Sequence, residues 1–264
     1  MEYGIFYSHI KAAAENSPDP ASETLRLCRK MKERGIKGVT VNVKGFTDAD
    51  LDIVSEAGLR VDTAFCVCDM IRGEYAEDPH IRRAARLGAG IFMIIPGFIE
   101  NGAPSDAEAK AAAYPLLRRA AKTCRDLGMR AAMEDYGGAL TPYNTPGGML
   151  DFYSAAEDLE LVFDSGNFLY FGIDPLEAYG VLKGKFIHVH AKDLSLSPLP
   201  GSPRVVSPTG RVLYPAAVGD GEAAKALAAL IKDGYDGILT LEYDGKPDLT
   251  AFVDRSLSFL ESAG

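Results

Sequence analysis

Short apolar runs alternate with longer amphipathic stretches from one end of the chain to the other. Gly4 to Tyr7 is the first strand-like run, followed by a helical pattern from about Ser22 to Arg34 that Gly35 terminates. Gly38 to Val43, rich in β-branched residues, predicts a second strand, and Asp48 opens a short helix to about Ala57. Leu59 to Phe65 predicts the third strand, Asp78 to Leu87 a helix, and Ile91 to Ile95 the fourth strand. A long helix follows over about Ser105 to Leu127, in which Pro115 is expected to introduce a kink or a break. Met129 to Glu134, Leu159 to Asp164, Phe186 to His190 and Ile238 to Glu242 read as the last four strands. Between and after them lie helices near Gly148 to Ala156, from Asp174-Pro175 onward, Glu222 to Lys232 and about Leu249 to Leu260.

Eight strand–helix units in succession predict a parallel sheet with right-handed crossovers. No glycine-rich phosphate loop follows the first strand, so the pattern favours a closed (β/α)8 barrel over an open doubly wound sheet. No linker or low-complexity segment interrupts residues 1–264, which are read as one α/β domain. The outsized connection, Ala191 to Gly221, is rich in Pro, Ser and Gly and is expected to be functional or disordered.

Composition narrows the function classes. The chain has 264 residues, close to the roughly 250 typical of this barrel. A net charge of -9 lacks the basic footprint that nucleic-acid binding requires. No apolar run reaches membrane-spanning length, and the first residues lack the basic start and cleavage site of a secretory leader, so a cytoplasmic location is expected. Cys28, Cys66, Cys68 and Cys124 show no zinc-finger spacing and are expected to be buried thiols, with a substrate contact at Cys66 as the alternative.

The chemistry is expected at the C-terminal strand ends, where this architecture places active sites. There the fifth strand carries Glu134, the sixth Asp164, the seventh His190 and the eighth Glu242. A single strand-end acid is ordinarily a helix cap, and a single histidine in an apolar strand is ordinarily a core residue. Four such groups on successive late strands would repel one another and suffer desolvation unless a cation joined them. Glu134 to Asp164 and Asp164 to His190 are each separated by about one βα unit, roughly 30 residues. Three oxygens and one nitrogen suit one Mn²⁺, Mg²⁺, Co²⁺ or Zn²⁺. His188 shares the face of His190 and is expected one layer deeper, orienting a ligand or binding substrate.

Phe163-Asp164-Ser165-Gly166-Asn167-Phe168, Asp174-Pro175-Leu176-Glu177-Ala178, His188-Val189-His190-Ala191-Lys192-Asp193 and Gly234-Tyr235-Asp236-Gly237 with Leu241-Glu242 resemble the xylose isomerase-like sugar phosphate isomerase/epimerase superfamily. The likeness spans most of the chain and is strongest from Met133 to Glu242. It implies a TIM barrel whose metal ligands are Glu134, Asp164, His190 and Glu242, with Glu134 and Glu242 also the acid/base pair. The implied reaction is isomerisation or epimerisation of a small sugar or related polyhydroxy carbonyl compound through a metal-stabilised enediolate. Homo-oligomers are common in the superfamily.

The chain departs from the pattern in ways that bear on substrate. Asn167 stands where many members have a histidine, and Asp135-Tyr136-Gly137-Gly138 replaces an asparagine-histidine, bringing another acid toward the metal. Expected substrate contacts are His9, His188, Asn167, Lys192 and Arg211, with Arg204 an equal candidate to Arg211. Lys192 is alternatively a partner of Asp193 or another carboxylate, and Glu100 reads as a solvated loop acid. A phosphorylated substrate would need amides or basic groups near the last two strands, for which the Gly219-Asp220-Gly221 turn is the candidate. Two other functions fit the family: an inosose-dehydratase-type lyase on the same metal site, and an endonuclease IV-like nuclease, which a chain with only His9, His80, His188 and His190 fits poorly.

Overall fold

Period-2 apolar segments become strands and period-3.6 segments become helices throughout the computed structural model, which describes residues 1–75, 78–246 and 248–264. In chain order the strands are β1 (Glu2–Phe6), β2 (Ile36–Asn42), β3 (Arg60–Val67), β4 (Ile91–Ile95), β5 (Arg130–Met133), β6 (Leu159–Asp164) and β7 (Phe186–Ala191). They continue with β8 (Asp193–Ser195), β9 (Val205–Val206), β10 (Val212–Ala216) and β11 (Ile238–Leu241). Eight of these close a parallel barrel in the order β1-β11-β7-β6-β5-β4-β3-β2. The surrounding helices are α1 (Tyr7–Ala14), α2 (Pro20–Glu33), α3 (Asp48–Glu56), α4 (Asp78–Arg86), α5 (Asp106–Asp126), α6 (Pro146–Ala155), α7 (Pro175–Leu182), α8 (Ala224–Lys232) and α9 (Leu249–Ser262). Among the described residues no helix is long and apolar enough to cross a membrane.

Alternation along the strands divides the core in two. Ile91, Met93 and Ile95 of β4 join Ala132, Val162, Phe65 and Val67 in one cluster, the plug of the barrel interior. The opposite faces of the strands pack against the helices in a larger cluster that includes Val39, Val41, Phe92, Ile94, Phe163 and Val189. Cys66 belongs to this outer layer and is fully buried, as are the other three thiols, which agrees with the expectation of structural cysteines.

Three local features differ from the sequence expectation. The helix α1 starts directly after β1, and its cap residue Phe6 offers no side-chain hydrogen bond, so no capping signal marked it. The helix α5 runs unbroken through Pro115. Pro115 and Ala111 are both exposed, so the carbonyl that loses its partner can turn to water while Ala113 and Leu117 hold the buried face. The third difference is the long connection after β7. It is ordered as a small antiparallel sheet, β8-β10-β9, laid beside the barrel mouth.

Asp193 fastens this connection. Its carboxylate accepts the amides of Leu194, Gly219 and Gly221 at 2.9 Å each and of Ala223 at 2.8 Å. Gly221 must lack a side chain here, because a Cβ would lie 2.4 Å from Asp193 Oδ1 and 2.5 Å from the Leu194 carbonyl. Replacing Asp193 with Ala strands several amides in a buried site, and each orphaned group costs about 1–3 kcal/mol. Urea unfolding of Asp193→Ala is therefore expected to show a loss of about 3 kcal/mol or more, and a loss below about 0.5 kcal/mol would contradict this role.

Candidate metal centre

The inward faces of β5, β6, β7 and β11 end in polar groups, and barrel closure makes those four strands neighbours in the order β5-β6-β7-β11. Register then sets the heights: Asp164 pairs with His190 across β6 and β7, and the Glu242 amide donates to the Ala191 carbonyl at 3.1 Å. One candidate ligand atom each from Glu134, Asp164 and His190 lies within 4.8 Å of the others, and all three residues are buried. His190 Nδ1 is the focus of the group. It is 2.7 Å from Glu134 Oε2, 3.4 Å from Glu242 Oε2 and 4.0 Å from Asp164 Oδ2.

The donor set fits a divalent cation. Asp164 Oδ2 and Glu242 Oε2 are buried oxygens with no hydrogen-bond partner, and both face His190 Nδ1. Asp164 is aimed from its other side, since Oδ1 accepts the amides of Gly166 and Asn167 at 2.8 Å each. Three carboxylate oxygens and one imidazole nitrogen are hard-to-borderline ligands of the kind Mg²⁺, Mn²⁺, Co²⁺ and Zn²⁺ accept.

Lys192 supplies the local positive charge. It follows His190 by two on the same face, is 5% exposed, and its Nζ is 2.7 Å from Glu242 Oε1, 3.4 Å from Asp164 Oδ2 and 3.5 Å from Asp244 Oδ1. Nζ also donates to Asn167 Oδ1 at 3.0 Å. Burial disfavours the ammonium, but Asp164, Asp244 and Glu242 outweigh it and hold Lys192 well above the ordinary lysine range. His190 follows the same logic: burial opposes its charged form, and Glu134, Glu242 and Asp164 together raise it. Burial pushes Glu242 and Asp135 upward, and for Asp135 the nearby Asp164 and Glu134 carboxylates add to the effect. Neither oxygen of the buried Asp135 has a hydrogen-bond partner, so the added acid expected beside the metal is there and uncompensated.

The remaining candidates fall in different places. Asn167 is at the site, donating Nδ2 to the Asp135 carbonyl at 3.1 Å while holding Lys192. His188 lies beneath His190 with ring centroids 5.1 Å apart. It is fully buried with neither nitrogen paired, and burial holds it well below the usual histidine range. His9 lies behind Glu242, where its Nε2 accepts the Tyr243 amide at 3.1 Å. Burial and the Lys192 charge push it down to about 4, so the ring is neutral and its proton sits on Nδ1. Arg211 lies elsewhere, against Gly172 in a cleft shared with Asp174, Glu222 and Lys225. Glu100 is an exposed loop acid paired with Arg72 at 2.7 Å. The Gly219 and Gly221 amides are already taken by Asp193 and do not await a phosphate.

Several site residues escaped the sequence reading. Asp244 follows Glu242 by two, and its hydrogen bond from the Tyr170 hydroxyl closes one side of a cavity of about 130 Å³ lined also by Glu134, Tyr136, Asn167, Lys192 and Glu242. The period of two was a readable signal for Asp244. Tyr170 lies in a short 3-10 helix, Asn167–Phe171, whose direction no sequence pattern announces. Phe6, at the end of β1, sets its ring edge-on to His190 with centroids 4.8 Å apart.

Comparison with known proteins supports the same frame. The family model described as xylose isomerase-like TIM barrel matches residues 78–263. No curated protein sequence gave a significant match. A D-allulose 3-epimerase from Methylomonas sp., solved with D-allulose, superposes with a TM-score of 0.72 at 16% identity over 100% of this chain and 97% of that one. A xylose isomerase-like TIM barrel protein from Mycobacterium smegmatis in complex with magnesium gives 0.65 at 18% identity, covering 93% and 90%. A probable 3-DHS dehydratase from Bacillus anthracis gives 0.66 at 13% identity, covering 99% of each. At these identities the superpositions speak for the barrel, while the family match covers most of the chain and includes every strand that carries the site. The chain belongs to the xylose isomerase-like TIM barrel family.

Proposed function

We propose that this chain is a divalent-metal-dependent isomerase or epimerase of a small sugar or related polyhydroxy carbonyl compound. The observation that carries the proposal is the convergence of Glu134 and Glu242 on His190 Nδ1, at 2.7 and 3.4 Å, from the two outer strands of the four that bear ligands. Glu134, Asp164, His190 and Glu242 would hold the metal. When bound, the cation polarises the substrate carbonyl and offsets charge that builds on its oxygen.

The protein's own groups do the rest. A proton beside a carbonyl leaves only if a base is near the carbon and positive charge is near the oxygen. With Glu134 and Glu242 arriving from β5 and β11, one carboxylate would take the proton and the other return one to the opposite face, which inverts the carbon. A single carboxylate moving the proton between adjacent carbons interconverts aldose and ketose. Lys192, held by Glu242 and Asn167, is placed to donate a hydrogen bond to a substrate oxygen. The fold-level relatives include sugar epimerases, one solved with D-allulose, which supports the substrate class without fixing it.

The Lys192–Glu242 contact favours a second reading. An ammonium 2.7 Å from a candidate base can protonate a departing β-hydroxyl, making the site a dehydratase of the inosose type. Deuterium uptake at carbon from D₂O without net loss of water supports isomerisation or epimerisation. Growth of an enone absorbance on substrate addition supports the lyase.

Two measurements test the proposal. Elemental analysis is expected to find about one divalent metal per wild-type chain and much less in Glu242→Ala, and chelation is expected to abolish deuterium exchange into ketose substrates. Metal-free protein that exchanges at the wild-type rate would contradict it. Lys192→Met is expected to keep the metal and slow exchange by about 10²-fold, the lower range for a positioned proton donor or charge. An unchanged rate would remove Lys192 from the reaction.

A further inference from the structure

The barrel mouth has two unlike halves. The ends of β5, β6, β7 and β11 are charged, whereas the ends of β1, β3 and β4 present Phe6, Phe65, Val67 and Ile95, with Phe98 and Tyr136 beside them, and β2 ends in Asn42. On that side a cleft of about 190 Å³ opens over the end of β2, lined by Phe6, Tyr7, Thr40, Phe46 and Phe65 and bordered by Lys11, whose ammonium is paired with Asp50 at 3.1 Å. Phe6 stands between this cleft and the charged centre. Its ring touches His190 edge-on on one side, packs against Phe65 at 5.8 Å, and borders the cleft.

We infer that the substrate is an unphosphorylated hydroxy-carbonyl compound bearing an apolar, ring-sized arm, with its oxygen-rich end at the metal centre and the arm in the cleft over β2. The inference rests on the isomerase or epimerase reading for the oxygen-rich end and adds the arm. Three observations favour it. The cleft exceeds the roughly 150 Å³ in which an apolar protein cavity holds benzene. Its aromatic walls reward burial of an apolar ring, while the Thr40 hydroxyl is already paired with Thr240, Asn42 Oδ1 with the Lys44 amide and Lys11 with Asp50. A phosphate finds no amide cradle near the last two strands, because the Gly219 and Gly221 amides are bound by Asp193.

The test compares D-fructose with 6-O-benzyl-D-fructose, which share a head and differ in the arm, by calorimetric binding to the metal-loaded protein. Wild type is expected to bind the benzyl compound at least about tenfold more tightly, the scale expected for burying a ring-sized apolar group. Gly45→Trp and Ser8→Trp fill the cleft from its two exposed sides; a side chain at Gly45 meets no atom within 4 Å. Either variant is expected to bring the affinity ratio toward one. Equal affinities in wild type, no measurable binding of either compound, or a preference that survives both variants would overturn the inference. Deuterium exchange into D-fructose, measured in parallel, tests the isomerase reading separately. Exchange without a benzyl preference removes the arm and keeps the reaction, and a preference without exchange does the reverse.

Discussion

Everything at the mouth of this barrel follows from carboxylates held close together away from water. Glu134, Asp164 and Glu242 converge on one imidazole nitrogen, with Asp135 and Asp244 in support. Like charges in such a place raise one another's proton affinity and destabilise the fold unless positive charge joins them. Lys192 supplies part of that charge from inside the chain, and a divalent cation held by the same donor set would supply the rest. Under the proposed function the same carboxylates would hold the cation and move the proton that its pull on the carbonyl acidifies, so one arrangement would serve binding and proton transfer.

The scaffold is arranged to keep these groups in place. Barrel closure puts β5, β6, β7 and β11 side by side, and the ladder register brings Asp164 level with His190. Outside the strands, Asp193 gathers four amides to hold the long connection after β7, and His9 holds the amide next to Glu242. The neutral His9 ring can do this because burial and Lys192 keep it from charging. The apolar sector at β1 to β4 leaves room for the part of a substrate that does not react.

The architecture was largely legible in the sequence, because eight alternations of short apolar runs and amphipathic helical segments leave few other solutions. The clustering of Glu134, Asp164 and His190, with Glu242 beside them, was legible for the same reason, each being a polar residue that ends an apolar strand. What escaped was set by contacts distant in sequence. The helix α1 has no cap signal, and Pro115, expected to kink or split its helix, lies with Ala111 on the exposed face of a helix that continues through it. The Gly219–Gly221 turn could have supplied amides to an anion despite its Asp220, and the fold gives those amides to Asp193 instead. Arg211 read as a substrate contact from its position in the long connection, and the hairpin of β9 and β10 sets it against Gly172 in a separate cleft. Phe6 and Tyr170 reach the site through ring packing and a 3-10 turn, neither of which leaves a periodic trace.

The most direct test of the central claim is anomalous diffraction from crystals grown with Mn²⁺, collected at the manganese edge. The account predicts one strong peak per chain, bounded by Glu134, Asp164, His190 Nδ1 and Glu242, with the Lys192 ammonium displaced toward Asn167 and Asp244. A mouth with no peak, still bridged by Lys192 between Asp164 and Glu242, would contradict the metal centre and the proton-transfer chemistry built on it.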